Sequence, residues 1–168
     1  MQFRTLDQGH VHLNTWDIDE LRRRVRGDLI EPDDASYDDA RGIFNGMIDR
    51  RPTLIVRCTG VADVIAAADF ARSNRLLTSV RGGGHGIAGT AVCDGGLMIS
   101  LERMNSVHVD PSRRIGWVSG GAKLGDVDHE TAARPGVPRG RRVHDRRCRV
   151  DNGRRLWMAT REIGDVDR

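Results

Sequence analysis

The chain has 168 residues, of which 38% are hydrophobic and 4% aromatic, and its formal net charge at pH 7 is +3. That length suits one domain or a fragment of a larger one. No run of 18 apolar residues occurs, which argues against a membrane-spanning helix, and the first residues lack the apolar core of a signal peptide. We therefore expect a cytoplasmic protein with no membrane partner.

The charge is unevenly distributed along the chain. Residues 1–133 contain 16 Lys and Arg against 19 Asp and Glu, whereas residues 134–168 contain 11 Arg against 5 Asp and Glu. The basic character of the protein therefore belongs to its last segment, which needs an explanation of its own.

The cysteines and histidines form no recognisable metal or disulfide pattern. The 3 cysteines lie far apart without a C-x-x-C pair, and the 6 histidines show no metal-ligand spacing. The cysteines are Cys58, Cys93 and Cys148. We expect ordinary thiols and no metal site.

The first third of the chain predicts mainly helices. Met1–Asn14 has no clear period and is expected to be an irregular lead-in. Asp17–Arg26 predicts a short helix, because acids open it and arginines close it, as the helix dipole favours. Gly27 ends that helix, and Glu31–Asp34 predicts a turn.

An alternation of helix and strand follows. The spacing of apolar residues predicts a helix over Ser36–Ile48 that Pro52 ends, then a strand over Thr53–Cys58, a helix over Val61–Ser73 and a strand over Leu76–Val80. The residues expected in the core are Ala40, Ile43, Phe44, Met47 and Ile48 from the first helix and Val61, Val64, Ile65, Ala68 and Phe70 from the second.

A second group of strands comes later. Gly96–Leu101 predicts a strand, and Val107–Asp110 with Ile115–Ser119 predicts a hairpin. Leu124–Ala133 predicts a helix with acidic residues on its solvent side. Beyond Ala133 the apolar period is lost and arginines occur in pairs, so this stretch cannot bury enough apolar surface to offset chain ordering.

The strongest functional signal is the segment Val80–Gly89, which contains five glycines and one histidine. Glycine reaches positive φ without a Cβ clash, so the loop can gather its N–H groups into a nest that suits a phosphate. The predicted contacts with a nucleotide pyrophosphate come from Arg81, Gly82, Gly83, Gly84, His85 and Gly86. The alternative is a glycine-rich turn with an incidental histidine.

Three segments resemble the berberine-bridge-enzyme-like FAD-linked oxidases of the vanillyl-alcohol-oxidase and p-cresol-methylhydroxylase superfamily. They are Tyr37–Pro52, including its Asn-Gly and Arg-Pro pairs, then Val80–Gly89, then Gly120–Ala133. The glycine loop leads into a strand region and not into a helix, so a Rossmann site fits poorly. The resemblance covers residues 27–133.

The resemblance implies an α+β fold of the p-cresol-methylhydroxylase-type FAD-binding domain. It is incomplete here and comprises an N-terminal α/β subdomain with the start of the second. The implied parts are a lead-in with a short helix (1–26), a partial FAD-binding domain (27–133) and an Arg-rich tail (134–168) that is expected to be disordered.

The resemblance also implies an activity. In this family the loop amides bind the FAD pyrophosphate, and the histidine at the position of His85 is often bonded to the flavin 8α-methyl carbon. A small organic substrate passes a hydride to the flavin, which O₂ commonly reoxidises. The catalytic base stays unassigned because the substrate-binding domain is not represented. No cysteine matches the second covalent link of some members, and the fragment alone is expected to be inactive.

A small nucleic-acid-binding protein with a basic tail is the alternative function. Such a tail needs aromatic side chains on which bases can stack, and this one contains Trp157 alone. We therefore expect no nucleic-acid partner. A yellow colour after purification would favour the flavoprotein, whereas a salt-dependent shift of DNA in a gel would favour the alternative.

The composition of the tail predicts that residues from about Arg134 onward are a frameshifted reading of the family's own continuation. When the last two bases of each codon are read with the first base of the next, Trp157-Met158 forces glycine and Met158-Ala159 forces tryptophan. The other codons permit HGLASPGGVV and GVAGLTMGGGFGW, which resemble the next flavin-binding segment of the family. We expect gene sequencing to locate a single-base change near the Ala133 codon; an in-frame reading without one would refute the frameshift.

Overall fold

The computed structural model describes residues 1–110, 112, 115–132 and 160–162. Its elements in chain order are β1 (Gln2–Arg4), β2 (His10–His12), α1 (Thr15–Arg24), β3 (Asp28–Ile30), α2 (Tyr37–Arg41), β4 (Leu54–Arg57), α3 (Val61–Ser73), β5 (Thr78–Arg81), β6 (Leu97–Ser100), β7 (Val107–Asp110), β8 (Ile115–Val118), α4 (Leu124–Ala132) and β9 (Thr160–Glu162). Both helices and strands are present, as the predicted α+β class requires.

The centre of the molecule is a four-stranded sheet in the order β3-β4-β6-β5. Strand β6 pairs in parallel with β4 on one side and β5 on the other, whereas β3 pairs with β4 antiparallel. Continuous apolar runs suit strands buried on both faces, and β4 and β6 are such runs. The three predicted strands of this sheet are confirmed, each with slightly different ends.

The core lies on both faces of this sheet. Successive side chains of a strand point to opposite faces, so Leu54 and Val56 join one apolar cluster while Ile55 joins the other. The first cluster contains residues of β1, α1 and α3. The second contains Tyr37 and Ala40 of α2. The sheet is therefore covered by helices on both sides.

The N-terminal segment is ordered, contrary to the prediction of an irregular lead-in. Strands β1 and β2 pair antiparallel, and Phe3 is fully buried in the first cluster. The Met1 ammonium donates a hydrogen bond of 2.7 Å to the carbonyl of Leu13. Two strands of three residues carry too few apolar positions to show a period of two, so no alternation was visible in the sequence.

Helix α1 is confirmed but begins two residues earlier than predicted. Asn14 and Asp17 form a capping box, in which each side chain accepts the other residue's N–H at 3.0 Å. This pair satisfies N–H groups that the first helical turn leaves without a carbonyl partner.

The helix predicted over Ser36–Ile48 is wrong beyond Arg41. Helix α2 spans five residues and ends at Gly42. Phe44 and Met47, expected in the core, are 67% and 93% exposed. The physical reason is that residues after Gly42 bond to the glycine-rich loop instead of continuing the helix.

Helix α3 has the predicted bounds but buries a different face. Val61 and Ile65 are more than half exposed, and the buried positions are Asp63, Ala66, Ala67, Phe70 and Ala71. The small alanines let the helix approach the sheet closely. The buried Asp63 fixes which face turns inward, because its carboxylate is bonded to the connection that follows α1.

The predicted hairpin is confirmed as β7 and β8, which pair antiparallel with Asp110 opposite Ile115. Strand β9 pairs antiparallel with β8.

The prediction of a disordered, frameshifted tail falls on residues 134–168, of which the structure describes only β9; the remainder lies outside the described residues. Among the residues described, no helix is long and apolar enough to cross a membrane.

Asp63 joins α3 to the end of α1. One carboxylate oxygen accepts the N–H of Arg26 at 2.9 Å, and the other accepts the N–H groups of Gly27 and Thr59 and the Thr59 hydroxyl. Burial raises the pKa of Asp63, but these hydrogen bonds outweigh it, so the pKa lies below its usual value.

We expect Asp63→Asn to lower the free energy of unfolding at pH 7 by about 2–3 kcal/mol. The reason is that the NH₂ group of asparagine would face N–H and O–H donors that the carboxylate now accepts. The pKa of Asp63 is lowered on folding, so its contribution is present above about pH 4 and is lost as pH falls through the folded pKa. Urea titrations at pH 7 and pH 3 should show the difference between variant and wild type shrinking at low pH. Asp69→Asn is the control, because Asp69 forms a surface ion pair with Arg72 on α3; an equal loss in both variants would contradict the role of Asp63.

Candidate functional site

The glycine-rich loop begins where β5 ends, at the carboxyl edge of the parallel strands. Arg81 is the last residue of β5 and is paired with Ser100 of β6. In open sheets of parallel strands, ligands bind beyond the carboxyl ends of the strands. The loop that the sequence singled out therefore starts at an edge where a ligand site is expected.

Three glycines of the loop occupy positions that other residues would fill badly. Gly84 and Gly89 have φ values of 69° and 66°, in the left-handed region that favours glycine. A Cβ on Gly82 would lie 2.6 Å from the carbonyl oxygen of Gly120. The sequence-based expectation of positive φ in this loop is confirmed at Gly84 and Gly89.

The loop uses its carbonyl groups and its N–H groups differently. The carbonyls of Gly84 and Gly86 accept backbone hydrogen bonds from Phe44 and Gly89, at 3.0 Å each. Over the ranges that the structure describes, the N–H groups of Gly82, Gly84 and Gly86 donate no backbone hydrogen bond. N–H donors without a backbone acceptor at a glycine-rich turn are a feature that suits an anion.

Arg81 was predicted to contribute positive charge at the edge of the loop. Its guanidinium is mostly buried, where Nη1 donates to the carbonyl of Ala40 at 3.1 Å and lies 3.3 Å from a carboxylate oxygen of Glu102. The charge of Arg81 is thus compensated, and the side chain ties β5 to helix α2. A role of Arg81 toward a phosphate stays a prediction.

His85 lies half-buried beside Phe44. The two ring centroids are 5.4 Å apart, and the ring planes are inclined by 47°. The Phe44 ring therefore limits the positions open to the imidazole. Gly83 lies in the same turn, and its role, like that of His85, stays a prediction.

An exposed apolar surface flanks the loop, and sequence reasoning missed it. Phe44, Met47 and Ile87 are each at least 67% exposed. Phe44 and Met47 were assigned to the buried face of a helix that ends earlier. Gly42 and Gly46 were the available signals, since each lowers helix propensity by about 1 kcal/mol.

No other chemistry competes with the loop in the region described. Over that region no group of three His, Cys, Asp or Glu could hold a metal ion. Burial raises the pKa of the Cys58 thiol to about 12, and it raises that of Cys93 as well. Both thiols are therefore protonated at neutral pH.

Comparison with known proteins identifies a family for this chain. Residues 52–139, just over half of the chain, match the family described as "FAD binding domain". The match includes the whole glycine loop and ends a few residues beyond Ala133, where we placed the end of the resemblance.

Individual relatives are FAD-linked oxidases. Over 108 residues the chain is 39% identical to (R)-6-hydroxynicotine oxidase from Paenarthrobacter nicotinovorans, covering 64% of this chain and 24% of that protein. It is 34% identical over 97 residues to glucooligosaccharide oxidase from Sarocladium strictum, covering 56% of this chain and 19% of that one. The chain thus spans a quarter or less of the length of these relatives.

A solved structure shows the same arrangement. The 6-hydroxy-D-nicotine oxidase from Arthrobacter nicotinovorans superposes with a TM-score of 0.62 at 38% identity, over 65% of this chain and 24% of that one. The predicted p-cresol-methylhydroxylase-type fold is therefore confirmed. The chain belongs to the FAD binding domain family, whose members similar to it are FAD-linked oxidoreductases.

Proposed function

We propose that the loop from Arg81 to Gly86 binds the pyrophosphate of FAD. The observation that carries the proposal is the set of N–H groups of Gly82, Gly84 and Gly86, which donate no backbone hydrogen bond within the described part of the chain. The positive φ of Gly84 and the absence of a side chain at Gly82 let the backbone approach a ligand closely. These residues fit a phosphate-bearing cofactor.

The proposed activity of the whole protein is that of an FAD-linked oxidase of the berberine-bridge-enzyme-like type. A small organic substrate is oxidised, with O₂ as the electron acceptor. The support comes from relatives that are oxidases by name, of 6-hydroxynicotine and of glucooligosaccharides. The nucleic-acid alternative has no support in the part of the structure that is described.

His85 is the proposed covalent anchor of the cofactor. Its imidazole stands at the loop and beside the exposed apolar surface of Phe44, Met47 and Ile87, which suits the apolar edge of a flavin. FAD supplies the hydride-accepting chemistry when bound. The chain itself binds the pyrophosphate, carries the imidazole and shields one edge of the ring system from water.

We expect flavin to remain with the holoprotein after acid precipitation and to be released into the supernatant in His85→Ala. The measurement is the absorbance of pellet and supernatant near the flavin bands. His108→Ala is the control, because His108 lies on β7 against Trp117 and away from the loop. Flavin that stays bound to the His85→Ala polypeptide would rule out the anchor. In the 168-residue chain alone we expect weak or no FAD binding, because part of the cofactor pocket is not represented.

We expect Gly84→Val to abolish FAD binding and to destabilise the fold by about 1–3 kcal/mol, because a β-branched residue is strained at positive φ. The added side chain would meet Ile43 and the Arg81 side chain, so the loop would have to shift away from these two residues. Gly125→Val in α4 is the control, since a Cβ there meets nothing within 4 Å. Flavin fluorescence quenching and thermal unfolding provide the readouts; equal effects of both substitutions would contradict a special role of Gly84.

A further inference from the structure

The segment Phe44–Arg50, here called the strap, runs alongside the glycine loop and is bonded to it at three places. The strap replaces the second half of the predicted helix, and it precedes β4 just as the loop precedes β6. Its contacts explain why two separate motifs of the sequence, the Asn-Gly…Arg-Pro segment and the glycine loop, occur together.

The first contact lies at the start of the strap. The N–H of Phe44 donates to the carbonyl of Gly84 at 3.0 Å, and the Phe44 ring contacts the His85 ring. Gly84 has positive φ, and its position over Ile43 leaves contact distances of 3.6 Å for an added Cβ. The strap thus supports the loop directly below the proposed anchor.

The second contact is made by the Asn45 side chain. Its Nδ2 donates to the carbonyl of Ile87 at 2.8 Å, while its Oδ1 accepts the N–H of Met47 at 3.1 Å. The amide group is used at both ends, so its orientation is fixed. Aspartate would turn an oxygen toward the carbonyl of Ile87, and an apolar side chain would make neither bond.

The third contact is made by Arg50 where the loop ends. Nη1 of Arg50 donates to the carbonyls of Gly89 and Val92, at 3.0 and 3.1 Å. Beside it, Ile48 fills the space over Gly89, where an added Cβ would approach Ile48 Cγ2 to 2.9 Å. The guanidinium and the isoleucine therefore hold the last turn of the loop against the strap.

A loop with five glycines loses much conformational entropy when it is fixed in one shape. The strap offsets that loss through the carbonyl groups of Gly84, Ile87, Gly89 and Val92. With these carbonyls bonded to the strap, the N–H groups of Gly82, Gly84 and Gly86, which have no backbone acceptor among the described residues, can be offered to a ligand.

We propose that Asn45 and Arg50 are positioning residues, which act through the glycine loop to preorganise its N–H groups and the His85 imidazole. The effect on FAD affinity rests on the proposed function. The effect on the loop does not, because it follows from the hydrogen bonds alone.

The test compares Asn45→Leu and Arg50→Met with matched controls in the full 168-residue chain. Asn74→Leu removes an equivalent bond, from Asn74 Nδ2 to the carbonyl of Phe70 at 2.9 Å, far from the loop. Arg51→Met removes the neighbouring arginine, which contacts Asp38 and Tyr37 instead. The readouts are hydrogen exchange of residues 83–89 by mass spectrometry, urea unfolding, and FAD affinity by flavin fluorescence.

We expect both strap variants to speed exchange of residues 83–89 by about threefold to tenfold, the range that one hydrogen bond supports, and to weaken FAD binding by a similar factor. The control variants should change neither the exchange of residues 83–89 nor the FAD affinity, even where they lower the free energy of unfolding. Arg50→Lys, which keeps a donor, should recover part of the loss.

Unchanged loop exchange in both strap variants would overturn the proposal, as would equal acceleration in the controls. If Arg50→Met does not fold, Asn45→Leu decides, because Asn45 is only half-buried and belongs to neither apolar cluster. The exchange data decide the role of the strap whether or not the 168-residue chain binds FAD, because that effect follows from the hydrogen bonds alone.

Discussion

The insertion of β6 between β4 and β5 is the constraint on which the site depends. Neighbouring parallel strands start at the same edge of a sheet, so the segments that precede β4 and β6 must run side by side. The strap precedes β4 and the glycine loop precedes β6. The chain that follows the strap and the chain that follows the glycine loop continue the strand pairing backward, through the bond from Gly95 to the carbonyl of Arg51 and that from Thr53 to the carbonyl of Gly96. The loop is thus shaped by the topology of the sheet as much as by its own glycines.

The same topology explains what the sequence could predict and what it could not. Buried parallel strands are short apolar runs, so β4 and β6 were visible as local patterns. The residues from Ala40 to Ile48 also showed a helical period, but the carbonyls that capture Phe44 and Asn45 come from residues about forty positions later. The sequence around the predicted helix therefore does not contain the carbonyl acceptors that end it. The glycine loop was predictable because positive φ restricts residue type directly, whereas its support by the strap depends on distant pairing.

Charges inside this fold serve the architecture. Asp63 accepts the N–H groups of Arg26 and Gly27 between α1 and β3, and it lies on the same buried face of α3 as the alanines. Arg81 and Glu102 neutralise each other beside the loop, so that the attraction for an anion is left to backbone dipoles. The sequence showed Arg81 next to the glycines but could not show where its guanidinium points, because the partner carboxylate belongs to the connection after β6.

The close approach of Gly82 to the carbonyl of Gly120 joins the loop to the turn that follows β8. Gly121 is equally confined, since a Cβ there would overlap the carbonyl of Leu101. Gly82 and Gly120, which are distant in the chain, are therefore in backbone contact. In homologous chains we expect substitutions at Gly82 to be accompanied by changes at Gly120. The reason is that a methyl group added at Gly82 requires a shift of the backbone at Gly120. The interface between the two sheets would in this way be inherited as a unit.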